Sequence, residues 1–265
     1  MCRRHRAFYK LIVFCAVFSA VKAGKSHALE PTGPIYGTAW GLTLSIDGSG
    51  FYNDYMRALL TAADTTVTYI PLPSRRARKA FAGNPGSCIF PSARAILSAP
   101  GTRDVGGLIE TGPLIHVRGY IFSQADAPVL ARLSDLEGRS VAFPSGAMLP
   151  RLLKGIDATL LPVPDEMDKA RLLIHRRVDY ISGTLPDISF VFHELGHSMP
   201  PYGKRSRLGE QPLALVCHDR PGNRRLVDRI SEILPIAART ARLAARLKAV
   251  GLNPSEYLPS AAFND

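Results

Sequence analysis

Hydrophobic and polar positions along this chain switch repeatedly between strand-like and helix-like patterns. Residues 35–46 read as strand-rich, and Gly48-Ser49-Gly50 then opens a helix over 51–63. A strand at 67–71 leads to a basic helix that Ser74 caps and that runs to about 82. Residues 83–86 break the chain before a strand at 87–90, and the Gly- and Pro-rich stretch 100–113 reads as surface wrap. Residues 114–123 form a strand with no helix before it. From 129 the pattern restarts as a helical turn, then strand 140–143, helix 148–153, strand 159–163, helix 166–176 and strand 178–182. A helix over 187–195 is closed by Gly196. A basic connection, 202–209, precedes a strand at 213–217, and helices at 223–238 and 240–250 carry apolar residues at three- and four-residue spacing.

This alternation predicts an α/β fold. Two βαβ arrays are separated by 114–123, and the chain leaves the second array through 213–217. That is the layout of a two-lobe clamshell joined by two crossing hinge strands, with residues 29–115 and 214–265 in the first lobe and 116–213 in the second.

At 265 residues and 46% hydrophobic composition, the chain can build a sizeable core. Its N-terminus changes the picture. Arg3, Arg4, Arg6 and Lys10 precede an apolar run over 11–21 that is too short to span a bilayer comfortably. Small residues before Ala23 and Ala28 fit cleavage sites, so residues 1–28 read as a signal peptide cut after Ala23 or Ala28, with an uncleaved anchor as the alternative. Removing them takes out six basic residues and no acid, and the formal charge falls from +11 to +5. Such a mildly basic domain is not a nucleic-acid binder by charge alone. Export to the periplasm would leave two cysteines, Cys88 and Cys217, which read either as a disulfide or as two buried thiols.

The run Leu-Ser-Asp-Leu-Glu-Gly-Arg-Ser-Val-Ala-Phe-Pro-Ser-Gly over 133–146, with Val-Asp-Tyr-Ile-Ser-Gly over 178–183, resembles the second lobe of type II periplasmic solute-binding proteins. The likeness extends over nearly all of the chain after residue 35. It implies the clamshell fold and a small polar solute held between the lobes. It also implies a membrane permease or sensor as partner, a monomeric state, no cofactor and no catalytic residues.

The resemblance also assigns candidate ligand contacts. Ser92 and Arg94 stand where the family keeps a Thr-x-x-Arg carboxylate clamp, with the spacing shortened by one; an ordinary surface arginine is the other reading. Ser145, Gly146 and Ala147 occupy the second-lobe loop, whose backbone N–H groups would face the ligand, or they form a plain helix-opening turn. Thr184 replaces the acid that amino-acid binders present to an ammonium, and Asp187 either substitutes for it or starts a helix. Together with Ala147, this departure points to a small polar or anionic ligand other than a standard amino acid. Tyr36, Trp40 and Phe51 read as a ligand sandwich or as core. Arg75, Arg76, Arg78 and Lys79 form a basic helix face, either solvated or facing an anion or a partner.

Two readings compete with solute capture. One is a helper or sensor of the same fold that has lost its ligand. The other is an enzyme, through dehydratase-like chemistry in the cleft or through His193-Glu194-Leu195-Gly196-His197, which matches the zinc-peptidase pattern H-E-x-x-H. That chemistry needs both histidines on one continuous helix. Gly196 and Pro200-Pro201 are expected to end the helix too early, which disfavours a metal site at His193, Glu194 and His197. Neither a P-loop nor a Rossmann fingerprint is present.

Overall fold

The computed structural model describes residues 33–98, 107–145, 147–240 and 242–259. The expected signal peptide and Gly146 lie outside them. The first strand, β1 (Ile35–Thr38), is shorter than its sequence pattern suggests. Gly41 takes a positive φ of 53°, and a bridge between Trp40 and Leu44 folds the chain into a 3-10 turn at Gly41–Thr43. Helix α1 (Phe51–Ala62) follows, then β2 (Tyr69–Leu72), α2 (Ser74–Gly83), β3 (Cys88–Ser92) and α3 (Arg94–Leu97). Ser74 is not the cap of α2: Pro73 holds that position, and the Ser74 hydroxyl donates to the carbonyl of Ala39 at 2.7 Å.

A short strand, β4 (Leu108–Glu110), interrupts the stretch read as surface wrap, and β5 (Ile115–Ser123) follows. Then come β6 (Ser140–Pro144), α4 (Leu149–Leu152), β7 (Thr159–Val163), α5 (Glu166–Ile174), β8 (Tyr180–Leu185) and α6 (Asp187–Glu194). The last strand, β9 (Gly209–His218), starts four residues before its sequence signal and precedes α7 (Pro221–Thr240) and α8 (Leu243–Ala249).

The strands run in the order β2-β1-β3-β9-β5-β8-β6-β7, with β4 on β9. Parallel pairing holds β1 to β2 and β3 at one end and β6 to β7 and β8 at the other. The long antiparallel strands β5 and β9 connect these two groups. β9 pairs with β5 through its first half, Gly209 to Leu213, and with β3 and β4 through its second half. The result is a two-lobe clamshell with crossing strands, as the sequence pattern predicts. The Cys88 and Cys217 sulfurs, opposite each other on β3 and β9, are bonded at 2.03 Å.

On one face of the first-lobe sheet, α1, α7 and α8 bury Ile35, Leu59, Leu215 and Ile230. This core continues into the second lobe through Ala170, Leu173, Ile188 and Phe192 of α5 and α6. Smaller clusters lie under α2, around Phe81 and Ile89, and under α4, around Leu149 and Leu153. Within the main core, Tyr55 is fully buried and its hydroxyl has no hydrogen-bond partner. Burial raises its pKa well above the ordinary tyrosine value. Tyr55→Phe removes an unsatisfied group at nearly constant shape, so stability in urea is expected to hold or to rise by about 1 kcal/mol. A loss of that size would show that the hydroxyl is satisfied after all.

Candidate functional site

In α/β folds the carboxyl ends of parallel strands converge where ligands bind. Here the 3-10 turn after β1 meets the segment after β8. Asp187, the first residue of α6, is 1% exposed. Its Oδ1 accepts from the Thr43 hydroxyl at 2.6 Å, across the lobes. Its Oδ2 accepts from Thr184 at 2.9 Å within its own lobe, and the Tyr52 hydroxyl of α1 approaches the same oxygen at a longer 3.4 Å. Burial is the main cause that pushes the Asp187 carboxyl up to about 6, against the hydroxyls of Thr43 and Thr184, which favour the carboxylate. The same burial, with Asp187 beside it, raises the Tyr52 phenol.

A second ionic group borders this joint. Lys169 on α5 is 0% exposed, and its Nζ meets Glu166 Oε2 at 2.5 Å. Burial lowers the Lys169 pKa, while Glu166, and after it Asp187, act in the opposite direction. Glu166 also borders the first lobe: a Cβ added at Gly41 would lie 3.5 Å from its Cβ and Cγ. Gly50 holds the other side of the turn. With φ of 108° at the start of α1, a Cβ there would come within 2.6 Å of the carbonyl oxygens of Leu42 and Thr43.

The structure scatters the remaining candidates. Trp40 is half-buried; its carbonyl accepts from the Thr43 hydroxyl at 3.0 Å, so it shapes the turn that presents Thr43. Phe51 is core, 5.1 Å from Phe190 of the second lobe and 5.2 Å from Tyr52, with the Arg246 guanidinium 5.3 Å over its ring. Tyr36 packs on the α2 face of the sheet, opposite Ile35, with Asn84 at its hydroxyl. Ser92 is buried at the end of β3.

Arg94 is half exposed and engaged outside the joint. Its Nε pairs with Glu110 at 3.1 Å, its backbone N–H donates to the same carboxylate, and it lines an open depression of about 280 Å³. Ser145 and Ala147 are exposed, and their backbone N–H groups donate to the carbonyls of Val163 and Pro144. Arg75, Arg76, Arg78 and Lys79 are exposed on α2.

Helix α6 ends at Glu194, and Gly196 follows with φ of 71°, so His193 and His197 do not share a helix. Among the described residues, no group of three or more His, Cys, Asp or Glu side chains is placed to hold a metal ion. Sequence reasoning found Asp187 and Thr184 but missed Thr43, Tyr52, Glu166 and Lys169. Lys169 was legible in principle, because it shares a helix face with Leu173 one turn on.

No protein-family model and no curated protein matches the chain. Solved structures do match. The GluR0 ligand-binding core in complex with L-glutamate aligns with a TM-score of 0.63 at 15% identity, over 81% of this chain and 97% of that one. A histidine kinase sensor domain with similarity to periplasmic binding proteins aligns at 0.58 and 22% identity, over 84% and 98%. An arginine transport-system periplasmic binding protein from Legionella pneumophila aligns at 0.57 and 13% identity, over 83% and 99%. At these identities the likeness establishes the fold, the type II periplasmic-binding clamshell.

Proposed function

We propose that this chain is an extracytoplasmic solute-recognition protein that closes its two lobes on a small polar or anionic solute and presents the closed form to a membrane partner. The observation that carries this reading is the Asp187 joint, where groups from both lobes meet at the carboxyl ends of their strands. In this reading the lobes are residues 29–115 with 214–265, and 116–213, and β5 and β9 are the hinge. Closure follows because the two sets of polar groups are satisfied together only when the lobes meet. The partner would be an ABC-type permease or a sensor kinase, the protein would work as a monomer in the periplasm, and binding alone would suffice, with no catalysis.

The experiment is a thermal-shift screen of the purified protein against carboxylates, sugars, amines and amino acids. A solute at one hundred times its Kd stabilises by about 2.7 kcal/mol, which raises Tm by several degrees. A flat response across all classes would overturn solute capture.

A second reading, a helper or sensor without a captured solute, draws on one further observation. The polar groups that would face a ligand are already engaged within the chain. Arg94 is held by Glu110, the Ser145 and Ala147 N–H groups by backbone carbonyls, and Asp187 by hydroxyls. A flat screen with an intact fold would favour this reading.

A further inference from the structure

We propose that Thr43 and Asp187 form a latch through which this clamshell holds itself closed, an acceptor from within the chain taking the part that a solute's polar group would otherwise play. This rests on the two-lobe recognition reading above and adds how its closure is controlled. The contact is built for the purpose on both sides. From the second lobe, Asp187 is oriented by Thr184. From the first, Thr43 sits on a turn fixed by the Trp40–Leu44 bridge and by Gly50. Phe51 against Phe190 supplies an apolar contact beside it.

The latch can be satisfied in either protonation state. When Asp187 is ionised, the Thr43 hydroxyl donates to it at 2.6 Å, a length typical of an O–H group meeting a carboxylate. When Asp187 is protonated, its own O–H can donate to Thr43 Oγ1, and the Thr43 hydroxyl turns to the Trp40 carbonyl, 3.0 Å away. The charged and titratable groups facing Asp187 are Glu166 and Lys169 from α5 and Tyr52 from α1.

Closure should therefore respond to pH. An Asp187 exposed in an open form would titrate near its ordinary value of 3.8, whereas in the closed form it does so at about 6. Between those values the closed form holds a proton that the open form has lost. Closure is accordingly favoured at the acid end, weakens as pH rises to about 6 and is flat above that. From pH 8 to pH 5 the closed-to-open ratio should rise about tenfold.

The test is an inter-lobe distance in extensively dialysed protein with no solute added. Spin labels on Arg78→Cys and Lys154→Cys, exposed residues of α2 and of the segment after α4, report it by pulsed electron resonance. The labelled parent should give the closed distance. Thr43→Val, which removes the donor and leaves the buried carboxylate, should move the population toward a longer distance by a factor of about ten or more, the worth of a charge-assisted hydrogen bond. Asp187→Asn, which keeps a donor and an acceptor, should stay closed and lose the pH response. Circular dichroism checks that each variant folds, and Thr43→Ser, which keeps the hydroxyl, should stay closed like the parent. An unchanged distance in a folded Thr43→Val protein, or no pH response in the parent, overturns the latch. A solute that shifts Tm while Thr43→Val stays closed sinks the latch alone, and a flat solute screen with an opening Thr43→Val sinks solute capture alone.

Discussion

Lys169→Met is expected to lower the unfolding free energy by about 3–5 kcal/mol at pH 7.5, the range for removing one partner of a buried ion pair. The ammonium has no exposed surface and meets Glu166, whose side chain is only 12% exposed. A methionine fills nearly the same space, so the loss would come from electrostatics and not from a cavity. What remains are Glu166 and Asp187, two carboxylates with the cation between them gone. Glu166 already acts to raise the proton affinity of Asp187, and without Lys169 that effect grows.

The loss should accordingly shrink as the pH is lowered toward about 6, because the variant's Asp187 takes up a proton before the parent's does, and should level off below that. The double variant Glu166→Leu with Lys169→Met separates this from plain packing. Replacing a whole buried pair by apolar groups is often neutral or stabilising, so most of the lost stability should return. Urea unfolding of the four proteins of this cycle measures the coupling. If Lys169→Met loses less than 1 kcal/mol, or the double variant is no better than the single, the pair does not hold this seam together.

The sequence and the structure part company in ways that follow from what periodicity records. Strand and helix order was legible because each element buries one face, and the clamshell followed from the two isolated strands, β5 and β9. The turn at Gly41–Thr43 was not, since an apolar-rich run holding two glycines, Gly37 and Gly41, reads as a strand until the left-handed Gly41 folds it back. β4 is three residues long and has too few positions to show a period. The joint was half legible. Asp187 stood out by its place after β8, but its partners Thr43 and Tyr52 lie more than 130 residues away, and nothing local in a sequence records such a meeting. Resemblance placed Arg94 and the loop at 145–147 at the ligand. It could not record that Glu110 and two backbone carbonyls engage those groups, because a motif records residue types and not the hydrogen bonds they make.

Removing the disulfide with Cys88→Ala and Cys217→Ala together is expected to lower stability by about 2–5 kcal/mol while leaving the native pairing in place. The bond closes a span of 129 residues, which runs from β3 through the whole of the second lobe to β9 and leaves β1, α1, β2 and α2 outside it. A loop that long restricts the unfolded chain heavily, and the stabilisation grows with the logarithm of loop length. In the native state the strands need little help. Cys88 and Cys217 face each other within the antiparallel ladder of β3 and β9, so the backbone pairing beside them is expected to survive loss of the sulfurs. The penalty should therefore appear in the unfolding equilibrium and leave the inter-lobe distance unchanged. Both cysteines are fully buried, so a reductant added to the folded parent should act only through unfolding. Urea titrations of the parent and the double variant, each with and without reductant, check this. The parent's midpoint should fall toward that of the variant only when reductant is present through the transition. Equal midpoints for parent and variant in its absence would mean that the bond contributes nothing to holding β9, the second crossing strand, against β3.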